Sequence, residues 1–407
     1  MEVLYPRCAG LDVHEEFVVA CARIAEGRTV QRELAEFGTS TRELLRLQEW
    51  LLERQITHVA MESTGVYWKP VWHILYGYFH LTLGNAKQIK NVPGRKSDKK
   101  DAEWIADLHA HGLIRPSFVP PVPIQELRDL TRTRRQMLGE HARHVQRIQK
   151  VLEDANIKLT CVLSDIMGVS GRKMLSALVE GERNAERMAG LADRRVKAPR
   201  SKIVESLEGQ VTEHHRFMLS LHLRQLEGIE SAVAMLEMRI EKALDPFRHK
   251  VELLCTIPGV KGTAAASIIA EIGADMSVFP SADHLVSWAA ISPGLNETGK
   301  KNKGGRTKKA RWLKGTITQC AWAASHQRDC YLSARFHRIK SRRGKPKAVL
   351  AVANTMLRAI YHMLKNDVPY QDLGPDFFDR ENRDRTVRRL TKRLSNLGYE
   401  VELRKAA

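Results

Sequence analysis

The chain has 407 residues, 43% of them hydrophobic, and a formal net charge of +19. A single hydrophobic core stops growing at roughly 250–300 residues, so two or more domains are expected. The excess of positive charge favours nucleic acid as the partner, with an anionic membrane as the second candidate. The sequence has no run of about 18 apolar residues and no signal-peptide pattern, which predicts a cytoplasmic protein without a membrane partner. Its cysteines form no C-x-x-C pair, which argues against a zinc ribbon or a redox dithiol.

Strand and helix patterns alternate in roughly the first 120 residues. The β-like stretches are residues 8–14, 17–24, 29–37, 57–61 and 80–83. Ser40-Thr41-Arg42-Glu43 resembles a capping box that opens a helix, and Ser97 is placed to cap another helix that Gly112 ends. The order β-β-β-α-β-α-β-α predicts an α/β domain with a ribonuclease-H-like sheet.

The middle third has helical periodicity. After the proline-rich break at residues 120–123, apolar residues recur every three or four positions as far as Leu152, and again from Ile203 to Ile240. This pattern predicts two long helices that form an antiparallel coiled-coil arm, with a linker or short helices near residues 181–200 between them. Ordinary helical core is the alternative.

A turn near residue 259 begins the final third. The segment from Leu254 to Lys261, followed by a helix of small residues, resembles a helix-hairpin-helix element. In such an element Gly259, Lys261 and Gly262 would present backbone N–H groups at a helix N-terminus to a phosphate. A plain Pro-Gly turn between helices is the alternative.

A basic run with no acidic residue follows. Its glycine-loosened backbone suits close approach to a phosphate, although a solvated loop has the same composition. The candidate nucleic-acid-binding residues in it are Lys300, Lys301, Lys303, Arg306, Lys308, Lys309 and Arg311. Residues 340–347 repeat the basic pattern.

Four carboxylates are candidates for metal chemistry. Asp98 and Asp101 lie one helical turn apart and so share a helix face. Two carboxylates about 4 Å apart repel by roughly 4 kcal/mol at an effective dielectric near 20, which a hard divalent cation would relieve. Asp12 and Glu62, each at the end of a short apolar run, would complete an acidic tetrad for Mg²⁺. The alternative is that Asp98 and Asp101 only favour the N-terminus of their helix.

Several motifs together resemble a known family. Three segments are similar to the signature of the DEDD transposases of bacterial insertion sequences, the family numbered one-ten and its eleven-eleven subgroup. They are Gly10-Leu11-Asp12-Val13-His14, Met61-Glu62-Ser63-Thr64-Gly65 and Arg95-Lys96-Ser97-Asp98-Lys99-Lys100-Asp101-Ala102. Ile257-Pro258-Gly259-Val260 and the segment from Ser292 to Trp322 resemble the second domain of that family. The resemblance extends from about Cys8 to Leu364.

The resemblance implies a domain order. It comprises a RuvC-like catalytic domain over residues 1–122, a helical coiled-coil arm over 123–248 and a mainly α-helical transposase domain over 249–366. Residues 367–407 form a charge-rich tail.

It also implies an activity, RNA-guided recombination of DNA. The expected partners are element-end (donor) DNA, target DNA and a structured non-coding guide RNA, often called a bridge RNA. We expect a homo-oligomer, dimer or tetramer, that is associated with the bacterial nucleoid. The basic chain without an evident recognition helix agrees with sequence readout by RNA pairing.

The family's site roles carry over residue by residue. The metal-bound tetrad, with Mg²⁺ or Mn²⁺, maps to Asp12, Glu62, Asp98 and Asp101. The family nucleophile is a serine that forms a covalent bond to DNA, and the matching stretch, Asn296-Glu297-Thr298-Gly299, carries threonine. Thr298 is therefore the candidate nucleophile, and Ser292 is held in reserve. Because a β-branched hydroxyl is more hindered, a catalytically weakened RNA- and DNA-binding protein stays open, as does a RuvC-like metal-dependent junction nuclease.

Overall fold

The computed structural model describes residues 3–27, 29–63, 65–86, 89, 101–292, 295–298, 301–304, 312–381 and 383–403. The chain divides into two compact units, Met1–Val119 and Pro120–Ala407.

The first unit is built on a mixed sheet. Its five strands are β1 (Arg7–Val13), β2 (Phe17–Glu26), β3 (Thr29–Gly38), β4 (His58–Glu62) and β5 (His80–Gly84). They lie in the order β3-β2-β1-β4-β5. The first three pair antiparallel, whereas β4 is parallel to β1 and to β5. The predicted α/β class of this part of the chain is confirmed.

Among the described residues, three helices cover the sheet: α1 (Thr41–Glu53), α2 (Trp68–Leu75) and α3 (Asp101–Ala110). Helix α1 begins as predicted, because the Ser40 hydroxyl accepts a hydrogen bond from the Glu43 N–H at 3.4 Å. The main core lies on the face that carries Leu11 and Met61. Helix α3 packs on the opposite face and ends near Gly112, whose φ is +67°. The predicted cap, Ser97, lies outside the described residues.

The second unit contains the two long helices that the periodicity predicts. Helix α4 (Val122–Asp154) has 33 residues and packs along α9 (Glu213–Ala243), which has 31. Between them lie α5 (Leu159–Val162), α6 (Val169–Glu180), α7 (Ala185–Ala189) and α8 (Arg200–Leu207). These short helices bury their own core against the ends of the long pair.

One helix prediction is wrong. The apolar stretch from Ile203 to Ile240 is not one helix, because α8 ends at Leu207 and α9 begins after Thr212. An added Cβ at Gly209 would lie 2.4 Å from the Ala155 carbonyl oxygen, so the chain crosses the end of α4 here. The Thr212 hydroxyl then accepts from the His215 N–H at 3.3 Å and caps the new helix.

The rest of the unit is mainly helical, as predicted. It contains α10 (Arg248–Cys255), α11 (Gly262–Ile272), α12 (Ala282–Trp288), a two-stranded hairpin of β6 (Leu295–Thr298) and β7 (Lys301–Gly304), α13 (Trp312–Ser325), α14 (Tyr331–Arg343), α15 (Lys345–Asn366), α16 (Phe377–Glu381) and α17 (Arg383–Asn396). Helix α15 is the buried centre, against which α12, α13 and α14 pack. Among the described helices, none combines the length and the apolar character that crossing a membrane requires.

Candidate functional site

Two of the four predicted acids lie at the same edge of the sheet. Parallel strands β1 and β4 pair Leu11 with Met61, and Asp12 and Glu62 are the next residue on each strand. Since side chains alternate along a strand, both carboxylates leave the face opposite the main core, where α3 packs. Both are half-buried. The register therefore brings Asp12 and Glu62 side by side.

Helix α3 brings the third acid to this edge. The helix lies so close to β1 that a Cβ at Gly10 would be 2.3 Å from both the Ala102 oxygen and the Ala106 nitrogen. The Cys8 thiol, earlier on the strand, donates to the Ala106 oxygen at 3.6 Å. The N-terminal end of α3 therefore lies towards the C-terminal end of β1, and α3 begins at Asp101.

The metal prediction concerns these three acids and Asp98. Asp98 lies outside the described residues, and within the described part of the chain no group of three or more His, Cys, Asp or Glu side chains could by itself hold a metal ion. Carboxylate oxygens at one edge of the sheet are nevertheless the donors that Mg²⁺ and Mn²⁺ prefer. The donor chemistry of Asp12 and Glu62 therefore fits the implied ion.

A histidine also contacts the acidic edge. The Nε2 atom of His14 lies 3.0 Å from the Asp12 Oδ2 atom, and the ring packs against Phe17 with centroids 4.5 Å apart. The sequence spacing of Asp12 and His14 could have predicted this contact, since residues two apart on a strand share a face. His14 is therefore placed to orient the Asp12 carboxylate.

In the second unit, the segment that resembles a helix-hairpin-helix element forms a tight turn between α10 and α11. We call this turn and α11 the hairpin element. Gly259 has φ +84°, and a Cβ there would lie 2.5 Å from the Cys320 oxygen. The first backbone hydrogen bond of α11 runs from the Ala265 N–H to the Lys261 oxygen. The N–H groups of Gly262 and the two residues after it therefore precede the helical ladder, as phosphate binding requires.

A cavity of about 990 Å³ opens beside this turn. Its wall includes Lys261, Gly262 and Thr263 from the turn and Arg134 and Arg135 from α4. Arg134 pairs with Glu237, and Arg135 donates to the Trp312 oxygen at 3.2 Å. The two arginines were not singled out from the sequence, where they lie inside an ordinary helical pattern.

Two further arginines of α4 hold the far end of α11. Arg128 donates to the backbone oxygens of Ala270 and Glu271 at 3.0 and 2.7 Å. Arg132 makes a bidentate pair with the Glu271 carboxylate at 2.7 and 2.8 Å. Burial lowers the pKa of the Arg128 guanidinium, and the nearby Glu271 carboxylate opposes this effect. Arg128, Arg132 and Glu271 thus form a clamp that fixes α11 of the hairpin element to α4.

The candidate nucleophile lies on a β-hairpin. Thr298 is the last residue of β6, and it pairs in register with Lys301 of β7. Lys303 lies on the same strand. Ser292, the reserve candidate, is half-buried just before the hairpin. Lys300, Arg306, Lys308, Lys309 and Arg311 lie outside the described residues.

Comparison with known proteins finds two transposase domains in the chain. Residues 9–157 match the DEDD transposase family model of the IS110 type, and residues 251–338 match the model described as transposase, IS116/IS110/IS902 family. The chain is also 23% identical over 336 residues to the insertion element IS900 uncharacterized 42 kDa protein of Mycobacterium paratuberculosis, which covers 71% of this chain and 80% of that protein. These matches support a place in the IS110 family, and by its family domains this chain is a DNA transposase.

Proposed function

We propose that this transposase is an RNA-guided recombinase that cuts and rejoins DNA through a covalent protein–DNA intermediate. The observation that carries the proposal is the register of β1 and β4, which sets Asp12 beside Glu62 at the edge where α3 begins with Asp101. Adjacent carboxylates are unfavourable in a folded protein unless a cation or a proton offsets them. In a transposase with a charge of +19, a metal ion that faces a phosphodiester would offset the repulsion between these carboxylates.

The sheet also supports a RuvC-like first domain. A three-stranded antiparallel meander continues into two parallel strands, with the acids at the carboxyl ends of β1 and β4. Polar catalytic groups in open α/β sheets commonly lie at the carboxyl ends of strands.

Asp12, Glu62 and Asp101, together with Asp98, would hold Mg²⁺ or Mn²⁺. The bound ion would supply Lewis-acid stabilisation of charge on the phosphate oxygens. His14 would orient the Asp12 carboxylate through its contact of 3.0 Å.

The hydroxyl of Thr298 would be the nucleophile. Its oxygen bonds to phosphorus as one P–O bond of the DNA strand breaks, its proton passes to a base, and the departing strand oxygen takes up a proton. The phosphothreonine ester conserves the phosphodiester bond energy, so a free strand hydroxyl can attack it in turn and release the threonine. The pairing of the Thr298 backbone with Lys301 of the basic run supports this assignment.

Guide RNA and donor and target DNA would bind the turn at Gly259, Lys261 and Gly262 and the basic run. The support is electrostatic: the turn presents backbone N–H groups beside Lys261, and the run has no acidic residue. A dimer or tetramer would bring two duplexes together for exchange.

The test is a strand-transfer assay with the element-derived RNA, donor DNA, target DNA and Mg²⁺. Wild type should yield a covalent protein–DNA adduct and a recombined product. Asp12→Asn and Glu62→Gln should abolish both, while Glu53→Gln, which removes an exposed carboxylate of α1, should leave both intact.

Changes at the hydroxyl separate the mechanisms. Thr298→Ala should abolish the adduct and Thr298→Ser should retain it, while Ser292→Ala tests the reserve nucleophile. Strand cleavage that survives Thr298→Ala without an adduct would indicate a hydrolytic junction nuclease. Binding without any cleavage by wild type would refute the recombinase and leave the binding protein.

A further inference from the structure

A basic groove lies on α14. The groove, of about 400 Å³, is lined by Arg335, Arg338, Ile339, Arg342, Arg343 and Phe378. Four of these six residues are arginines and none is acidic. The volume lies within the range of pockets that hold a small ligand group, roughly 300–1,000 Å³.

The spacing of the arginines places them on one helix face. Arg335, Arg338 and Arg342 follow at intervals of three and four residues. Like charges at these intervals repel each other and destabilise a helix. Among the ion pairs of the described side chains, none involves these arginines or Arg343. Ion pairs of the described residues therefore do not offset this repulsion.

The helix dipole accounts for only part of the cluster. Cations in the last turn of a helix are stabilised, which applies to Arg342 and Arg343 near the end of α14 at residue 343. Arg335 and Arg338 lie one to two turns earlier, beyond that effect. The Nε atom of Arg335 is also buried without a hydrogen-bond partner among the described residues, although its Nη1 donates to the Tyr331 hydroxyl at 3.2 Å.

An aromatic ring forms the other wall. Phe378, from α16, lies under the Arg338 guanidinium at 4.5 Å and stacks on Tyr331 with centroids 5.3 Å apart. Stacking on a ring holds a guanidinium flat and leaves its edge N–H groups free to donate. A planar fork of this kind matches the two free oxygens of a phosphodiester better than a lysine would.

We propose that this groove, defined by Arg335, Arg338, Arg342 and Arg343 with Phe378, binds the phosphodiester backbone of a nucleic acid. Phosphate oxygens would receive hydrogen bonds from the guanidinium groups and relieve their mutual repulsion. The choice of nucleic acid as the anion rests on the proposed function. DNA and RNA share the phosphodiester group, so the experiment must separate them.

The test is a salt titration of binding with full-length protein and two probes, a 30-base-pair mixed-sequence DNA duplex and a 30-nucleotide single-stranded RNA. Arg338→Gln/Arg342→Gln removes two exposed charges of the groove, and Arg183→Gln/Arg194→Gln removes two exposed charges from the segment around α7 as a matched control. Each lost phosphate contact should lower the log–log salt slope by about 0.9 on the duplex and about 0.7 on the single strand.

The groove variant should therefore lose about two units of slope on the duplex, or about 1.4 on the RNA, and bind roughly tenfold more weakly. Loss on one probe alone supports the groove and identifies its nucleic acid. Unchanged slopes on both probes, or equal losses in the control, would overturn the proposal, and the groove would then be open to an acidic protein. Unchanged melting curves of both variants establish that folding is intact.

This readout does not depend on cleavage. If wild type forms no adduct but the groove variant loses slope, the proposed recombinase mechanism fails and the groove stands. If adduct forms and the slopes are unchanged, the reverse holds.

Discussion

Replacing Gly10 by alanine tests whether the contact between β1 and α3 positions the acidic edge. The new Cβ would lie 2.3 Å from the Ala102 oxygen and the Ala106 nitrogen and 3.0 Å from the Ala106 Cα. All three are backbone atoms of α3, so no side-chain rotation can relieve the overlap. The helix must retreat until the contacts approach 3.4 Å, a displacement of about 1 Å.

The magnitudes of two effects of this helix displacement can be estimated. Overpacking against a rigid neighbour costs about 1–3 kcal/mol, which corresponds to a melting temperature lower by about 5–10 °C for a domain of this size. A displacement of about 1 Å at a reacting group costs on the order of 100-fold in rate. Because α3 begins at Asp101, we expect Gly10→Ala to lose adduct formation at 20 °C, where the protein is still folded.

The control is Gly228→Ala in α9. A Cβ at Gly228 has no heavy atom within 4 Å, so this change should stabilise the helix by about 0.5–1 kcal/mol and leave activity intact. Differential scanning calorimetry and the adduct assay measure the two effects. If Gly10→Ala melts and reacts like wild type, α3 does not position the acids and the reasoning is wrong.

Two further predictions concern stability. Burial lowers the pKa of His109 from 6.5 to about 4, so the unfolded chain gains a proton before the folded one does, and stability should be complete above about pH 6.5 and fall by up to about 3 kcal/mol toward pH 4. Melting temperatures from pH 7 to 4.5 should show this slope, which His109→Leu should flatten; an equal slope in both proteins would contradict it. Glu271→Ala should lower the free energy of unfolding in urea by about 3 kcal/mol, because it removes the ion-pair partner of Arg132. The double variant Arg132→Met/Glu271→Met should recover most of that loss. Equal losses in the single and paired variants would argue against the clamp.

The strands of the first unit follow from local patterns. Segments 17–26 and 29–38 are short, bounded by turn residues, and joined at Gly27, whose φ of +62° favours glycine. The hydroxyl of Ser40 likewise caps a helix with a residue three positions away. Such features need only neighbouring residues, so the sequence predicts them closely.

Interruptions of a periodic pattern depend on distant contacts. Leu207 and Val211 continue the apolar spacing, so nothing in the period itself ends the helix between α8 and α9. The interruption has two causes: Gly209 passes against the end of α4, and Thr212 can cap a new helix. The first cause belongs to the tertiary structure and cannot be read from the local pattern.

The candidate sites divide in the same way. Asp12 and Glu62 are separated by fifty positions in the sequence. They become neighbours because β1 pairs in parallel with β4, although β2 and β3 lie between these two strands in the sequence. Their residue types predict metal chemistry, but their adjacency is a property of the sheet. The arginines of α14 share a helix face that their spacing predicts, yet they read as a solvated basic helix until Phe378 closes the groove from another element. A charged cluster becomes a candidate site when tertiary structure adds a wall and leaves a buried donor, such as the Arg335 Nε atom, without a hydrogen-bond partner among the described residues.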